Sequence, residues 1–129
     1  MDRQFSQQIK VTASTKISKV SLILASAGSG VASVGFWDSY TKVNQNGSNA
    51  TGNYSSGSNW VDFVWASGNP VLTGDCYMRV EQVSGVGGDV GFGWASGGTL
   101  YEGEAYGMYE NAGLYSQNTD FSMKVYKLS

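Results

Sequence analysis

The sequence predicts an all-β protein, a single antiparallel β-sandwich of about eight or nine strands. The first observation is an alternation of apolar and polar residues along the chain, without the 3.6-residue period of a helix. The second is a composition of 18 glycines, 13% aromatic residues and only 14% charged residues, which favours strands joined by turns. The third is the length, because 129 residues are enough for one domain, 1–129, with a real core.

The first half of the chain contains strand-like segments with one apolar face each. In the second of them Val20 and Leu22 share a face, and in a later one Val61, Phe63 and Trp65 lie opposite Trp60, Asp62 and Val64. The segments are residues 5–13, 16–25, 31–40 and 59–67. Residues 1–10 are polar apart from Phe5 and Ile9, which predicts an edge strand or an arm that pairs with another copy.

Residues 44–59, NQNGSNATGNYSSGSN, interrupt this pattern. Tyr54 is the only large apolar group among them, and the rest are mainly Asn, Ser and Gly. Such a composition is typical of connecting segments at the protein surface. We therefore predict an exposed polar loop.

The second half of the chain resumes the alternation. Residues 75–83 place Cys76, Met78 and Val80 inward and Tyr77, Arg79 and Glu81 outward, so Cys76 is expected to be buried and inert. Further strands are expected within residues 84–94, 101–109 and 120–128. The predicted core consists of Val20, Leu22, Phe63, Met78, Val80, Phe121, Met123 and Val125.

The composition argues against an enzyme. The chain has no histidine and one cysteine, so a Ser-His-Asp triad, an intrachain disulfide and a thiolate zinc site are all excluded. Glu102 and Glu104 would lie roughly 7 Å apart on one face of a strand. Glycosidases usually hold such a pair on different strands of a deep cleft, so we interpret these two as surface charge.

Charge and hydropathy exclude two classes of partner. A formal net charge of −2 does not suggest a nucleic-acid partner, which would need a basic surface to meet phosphates. No apolar run approaches the roughly 18 residues that a membrane span needs, and the N-terminus lacks the apolar region of a signal peptide. We expect synthesis in the cytoplasm, no membrane insertion, and a complete small gene product that begins at Met1.

No cofactor is expected, with a structural calcium ion as the alternative. Carboxylates are the oxygen ligands that calcium prefers, and several occur in the last third of the chain. The candidates are Asp89, Glu102, Glu104 and Glu110. The ligand spacing of an EF-hand is absent, so surface acids are the competing interpretation.

Aromatic residues are the strongest candidates for contact with a ligand or partner. Flat rings stack on sugar faces, and Trp and Tyr are also enriched at protein interfaces. Several rings lie in predicted loops or on outward faces of strands: Trp37, Tyr40, Tyr54, Trp60, Trp94, Tyr109 and Tyr115. The pattern predicts a binding surface without naming its ligand.

The segments also resemble a family of jelly-roll β-sandwiches found in carbohydrate-binding modules and in phage tail-fibre and capsid-surface proteins. The similar segments are ISKVSLIL at 17–24, WVDFVW at 60–65, LTGDCYMRV at 72–80, YEGEAY at 101–106 and DFSMKVY at 120–126. The resemblance covers nearly the whole chain. It implies a jelly-roll-like strand order and structural roles for Tyr101 and Tyr106.

The resemblance implies a non-enzymatic protein that works by surface contact. The leading hypothesis is a virion structural protein on the particle exterior, either a capsid decoration protein or a tail component that contacts a receptor. Its expected partners are copies of itself and other virion proteins, because few charges suit a subunit that hides surface in an assembly. The alternative is an extracellular carbohydrate-binding module of a secreted protein, with glycans as ligands.

Overall fold

The computed structural model describes residues 3–38, 44–86, 91–92, 94–96, 105–109, 113–117, 119–121 and 123–128. Side chains are described for residues 14–38, 44–74, 76–85 and 124–128. Within these ranges the protein is all-β, and every strand pair is antiparallel, as predicted. The same part of the chain contains no helix long and apolar enough to cross a membrane.

The described residues form strands of very different length, several of them only two or three residues long. In chain order they are β1 (Arg3–Ser26), β2 (Ser29–Trp37), β3 (Gln45–Tyr54), β4 (Gly57–Val64), β5 (Val71–Val86), β6 (Gly91–Phe92), β7 (Trp94–Ser96), β8 (Ala105–Tyr109), β9 (Gly113–Gln117), β10 (Thr119–Phe121) and β11 (Met123–Lys127).

The strands form two main sheets that share β1. The first sheet has the order β3-β2-β5-β1-β8-β9, and in it Val34 pairs with Val80 and Phe36 with Met78. In the second sheet the later part of β1 pairs with β4 on one side and with β11 and β6 on the other. Strands β7 and β10 pair separately. Layers of this kind give a β-sandwich-like protein with its core between the sheets.

β1 is one continuous strand where the sequence predicts two. Its register against β5 shifts between Val11 and Thr15, as in a β-bulge, which bends a strand. Thr15 and Lys16 still pair with β5 beyond this irregularity, and pairing in the second sheet begins at Ile17. One continuous strand therefore changes sheets between Lys16 and Ile17.

The prediction of an edge strand or arm at residues 1–10 is wrong for residues 4–7, which pair on both sides. Gln4 and Phe5 pair with Glu81 and Val80 of β5, and with Met108 and Gly107 of β8 on the other side. The segment is thus an interior strand of the first sheet. Its polar sequence suggested an edge, but pairing depends on neighbours that lie far along the chain.

The predicted loop at residues 44–59 is also wrong in its secondary structure. Most of it forms β3, an edge strand of the first sheet, and the beginning of β4. Most of its side chains are exposed, as the composition indicates, because β3 turns few of them towards the core. Ala50 and Tyr54 are the buried ones.

Five of the eight predicted core residues are confirmed as buried. Val20, Leu22, Phe63, Met78 and Val80 are at most 1% exposed. Val125 is partly buried against this cluster, whereas the side chains of Phe121 and Met123 lie outside the described part. Cys76 is buried, as expected from its strand alternation.

One residue of the outward face predicted for β5 is buried, and this residue is Arg79. It lies on the face opposite Met78 and Val80, yet it is only 5% exposed. Its neighbour in β2 is Gly35, which has no side chain, and its Nε lies 3.3 Å from Glu81 Oε1. Burial lowers the pKa of Arg79 and the Glu81 carboxylate opposes that change, so the guanidinium remains charged.

Candidate functional site

A polar cleft of about 390 Å³ opens where β2 ends and β3 begins, beside the start of β5. Its lining contains one aromatic ring, a carboxylate, side-chain amides and a hydroxyl. The rim residues are Trp37, Asp38, Asn44, Gln45, Asn46 and Thr73. Gly47 and the buried Cys76 complete it.

Asp38 and Asn44 are joined by a set of three hydrogen bonds. The Asn44 backbone N–H donates to Asp38 Oδ1 at 2.9 Å, and Asn44 Nδ2 donates to Asp38 Oδ2 at 2.8 Å. The Asp38 backbone N–H donates to the Asn44 carbonyl at 3.0 Å. The side-chain bond, followed by the backbone bond, lowers the pKa of the exposed Asp38 carboxyl, which is therefore ionised at neutral pH.

The Asn46 side chain links the beginning of β3 to the beginning of β5 by hydrogen bonds. Val71 N–H donates to Asn46 Oδ1 at 3.0 Å, and Asn46 Nδ2 donates to the Val71 carbonyl. The amide thus imitates the paired N–H and C=O groups of a strand residue. Gly47 follows with a φ of 75°, a conformation that favours glycine, and it approaches the Gly68 carbonyl closely.

Trp37 supplies the aromatic surface of the cleft. It is the last residue of β2, is half-buried, and pairs with Gln45 of β3 and Tyr77 of β5. Gln45 Nε2 in turn donates to Asn49 Oδ1 at 2.5 Å. A ring beside a carboxylate and amides suits a ligand with both an apolar face and hydroxyl groups.

The outer face of the second sheet is a second candidate surface, which we call the aromatic face. It is formed by alternate residues of three neighbouring strands, β4, β1 and β11, whose registers place them side by side. It consists of Trp60, Asp62, Val64, Lys19, Ser21, Lys124 and Tyr126. Trp60, Val64 and Tyr126 are 47%, 59% and 40% exposed.

A lysine ammonium group lies over each exposed aromatic ring of the aromatic face. Lys19 Nζ lies 4.3 Å from the centroid of the Tyr126 ring, and Lys124 Nζ lies 4.4 Å from that of Trp60. At these distances the ammonium groups are attracted to the ring faces.

A carboxylate lies beside Lys19. Asp62 Oδ2 is 3.9 Å from Lys19 Nζ, and Asp62 Oδ1 accepts a hydrogen bond of 2.6 Å from Ser21. The aromatic face therefore combines apolar rings with charges of both signs.

Two of the predicted contact residues lie on these two surfaces, and a third is buried. Trp37 lines the cleft and Trp60 lies on the aromatic face. Tyr54 is 3% exposed and is not a contact residue. Its hydroxyl donates to the Ser84 carbonyl at 3.1 Å and accepts from Gln82 Nε2 at 2.5 Å, so it is a structural group between strands.

The other predicted site residues cannot be assigned to either surface. Trp94, Tyr109 and Tyr115 lie in β7, β8 and β9, but their side chains lie outside the described part. The following residues lie outside the described residues altogether: Tyr40 and the calcium candidates Asp89, Glu102, Glu104 and Glu110. Among the residues that are described, no group of three or more Asp, Glu or Cys side chains is placed to hold a metal ion.

Sequence reasoning missed most of the polar residues of the cleft and the Tyr126 ring. Asn44 and Asn46 fall in the predicted loop, and the only signal that could have found them is their proximity to Trp37 in the sequence. Tyr126 carried a signal, because it alternates with the inward-facing Val125. No family model, curated protein or solved structure matches this chain.

Proposed function

We propose that this protein is a non-enzymatic structural protein on the exterior of a virion, with a jelly-roll-like strand order. It acts by surface contact, as a capsid decoration protein or as a tail component that contacts a receptor. The aromatic face is the observation that carries the proposal. The sequence resemblance to phage tail-fibre and capsid-surface domains supports it.

The aromatic face has the chemistry of a protein interface. Trp and Tyr are the residues that most often dominate binding energy at such interfaces, and Trp60 and Tyr126 occur here with the exposed Val64. Lysine ammonium groups already lie over both rings, which suits them less to stacking on a sugar. The face therefore favours a protein partner over a glycan.

A second copy of the same chain is the partner that fits best. In a two-fold interface, a residue that contacts a second residue on the other copy is matched by the reverse contact. The interacting surface must therefore be complementary to itself. Lys19, Lys124 and Asp62 supply both signs of charge within one patch. Two copies placed face to face can thus pair a lysine of each with the aspartate of the other.

Light scattering of the purified protein tests this proposal. The wild type is expected to exceed the 13.7 kDa of one chain, and Trp60→Ser is expected to raise the dissociation constant at least about tenfold. Val64→Ser and Val83→Ser form a matched pair, because the two valines are 59% and 55% exposed but lie on different sheets. Only the first should weaken association, and a wild type that stays monomeric at high concentration would contradict self-assembly.

The second candidate function is a carbohydrate-binding module of a secreted protein, and the polar cleft favours it. Trp37 lies there beside a carboxylate, side-chain amides and the Thr73 hydroxyl. Glycan-array binding by a monomeric wild type would promote this candidate over the virion protein. An assembly that binds no glycan would leave the first proposal alone.

A further inference from the structure

We propose that two copies of this chain stack their aromatic faces about a two-fold axis that runs along β1, with Asp62 of each copy opposite Lys124 of the other. This inference rests on the proposed self-association and specifies the interface that it uses. The strand registers and the positions of the charges carry it.

The registers of β4, β1 and β11 divide the aromatic face into rows that run across the strands. β1 is the middle strand, with β4 on one side and β11 on the other. From one end of the face to the other, the rows are Val64, Lys19 and Tyr126; Asp62, Ser21 and Lys124; and Trp60 beside the half-buried Ile23. Asp62 and Lys124 therefore lie in the same row on opposite sides of β1.

An axis along β1 brings opposite charges together. When two copies stack about such an axis, β4 of each copy lies over β11 of the other, and every row lies over the same row of the other copy. Asp62 then faces Lys124 of the other copy, and Val64 faces Tyr126. Symmetry makes each contact twice, and the strands of the two sheets run nearly parallel, as in aligned sheet packing.

The other two-fold arrangements place the charges less favourably. An axis across the strands also aligns the sheets, but it sets Asp62 opposite Asp62 and Lys124 opposite Lys124. A diagonal axis crosses the sheets at about 90° and sets Lys124 opposite either Lys19 or Ile23. Like charges repel, and a charge against an apolar side chain loses water without gaining a partner. Only the axis along β1 gives both Asp62 and Lys124 an opposite charge.

The side chains of the face are free to make these contacts. Within the described part of the chain Lys124 makes no ion pair, and its exposed, flexible side chain can turn from Trp60 to a carboxylate above it. Asp62 accepts one bond from Ser21, and a carboxylate has about four acceptor positions. Two Lys19 side chains meet at the axis, and each keeps Asp62 of its own copy 3.9 Å away as a counter-charge.

Charge reversal tests this geometry, with sedimentation velocity as the measurement. The variants are Asp62→Lys, Lys124→Asp, the double variant, and Lys16→Asp as the control. Lys16 is exposed and pairs with Val71 of β5, outside the aromatic face, and its reversal changes the net charge as much as Lys124→Asp does. Circular dichroism shows whether each variant is folded, because Asp62→Lys removes the acceptor of the Ser21 hydroxyl.

Each single reversal on the face should raise the dissociation constant of self-association at least about tenfold, because like charges then meet twice. An equimolar mixture of Asp62→Lys and Lys124→Asp should form a heterodimer with a dissociation constant within about threefold of the wild type, since every lysine then faces an aspartate. The double variant should self-associate for the same reason. Lys16→Asp should leave the association unchanged and should not rescue Asp62→Lys in a mixture.

Val64→Lys and Tyr126→Glu repeat the test without touching the Ser21 hydrogen bond. Both positions are exposed, and the proposed axis sets them opposite each other. A mixture of these two variants should associate more tightly than either variant alone. This second pair decides the question if Asp62→Lys fails to fold.

Three results would contradict the inference in different ways. A wild type that stays monomeric would remove the proposed self-association together with this interface. A wild type that associates, with no gain on mixing opposite reversals in either pair, would leave the self-association and overturn the axis along β1. Rescue of Asp62→Lys by the wild type but not by Lys124→Asp would indicate the axis across the strands.

Discussion

Phe63 and Val64 are neighbours in β4 with opposite environments. The Phe63 side chain is fully buried between the sheets, whereas Val64 is 59% exposed. Alternation along a strand causes this difference, because successive side chains point to opposite faces. A shift of one position along the strand therefore changes how much a substitution lowers the free energy of unfolding.

Phe63→Ala should therefore lower the free energy of unfolding by about 3–5 kcal/mol, through lost transfer energy and a residual cavity. Val64→Ala is the control and should cost less than about 0.5 kcal/mol. Urea unfolding measures both. A loss below about 1 kcal/mol for Phe63→Ala would show that the inward face is assigned wrongly.

Asp38 gives a pH dependence whose sign follows from its hydrogen bonds. Asn44 lowers the pKa of Asp38 in the folded protein, so the ionised carboxyl stabilises the fold above the unfolded value of about 3.9. That contribution is lost as the pH falls through the lower, folded pKa. Because Asp38 is fully exposed, the effect is small.

Asn44→Ala should shift the urea midpoint at pH 7, and the shift should shrink as the pH falls below about 4 and through the lower, folded pKa of Asp38, because protonation removes the charge that Asn44 stabilises. Melts at pH 7, 5 and 3 provide the measurement. A difference that is the same at all three values would show that Asn44 acts on stability without the Asp38 charge.

At the scale of strands, Gly52 sets how closely β3 approaches β4. A Cβ atom at Gly52 would lie 2.7 Å from the Asp62 carbonyl oxygen, 2.9 Å from Val61 Cγ1 and 3.2 Å from Phe63 Cε1. Backbone and core atoms cannot move aside easily in a close-packed interior. The glycine therefore lets an edge strand of one sheet lie against a strand of the other.

Gly52→Ala should lower stability by about 1–3 kcal/mol through overpacking. Gly35→Ala is the matched control, because its Cβ would meet the ends of the Asn49 and Gln45 side chains, which are exposed and can rotate away. We expect a cost below about 1 kcal/mol there. Equal destabilisation of the two variants in urea melts would argue against the close approach of β3 and β4.

At the scale of the whole molecule, β1 holds the two sheets together. Its early residues pair with β5 and β8 in the first sheet, and its later residues pair with β4 and β11 in the second. The sheets are thus coupled by one backbone. The N-terminal part of this strand is paired with β5 and β8 and is not an appendage.

Deletion of residues 1–8 should consequently prevent cooperative folding. β5 and β8 would lose the strand that lies between them, and both would expose unpaired N–H and C=O groups. Circular dichroism and urea melts compare the shortened chain with the full-length protein. A shortened protein with the wild-type midpoint would restore the interpretation of this segment as an assembly arm.

The sequence predicted part of the candidate site and little of its geometry. Trp37 and Trp60 were recognisable because exposed rings at strand ends and on outward faces are typical of binding surfaces. Thr73 was not recognisable as a site residue, since it is far from Trp37 in the chain. The two residues line the same cleft only because β2 pairs with β5. Tyr54 was misjudged for the same reason, because its partners Gln82 and Ser84 lie in another strand.

By itself the sequence determined the all-β class, the absence of histidine chemistry, and the inward face of strands such as β4 and β5. These are local properties, because alternation and composition can be read from neighbouring residues. Only the tertiary structure decided that β1 changes sheets, that β3 is a strand, and that Arg79 is buried. Each of these depends on contacts between residues distant in the chain, which no local pattern encodes.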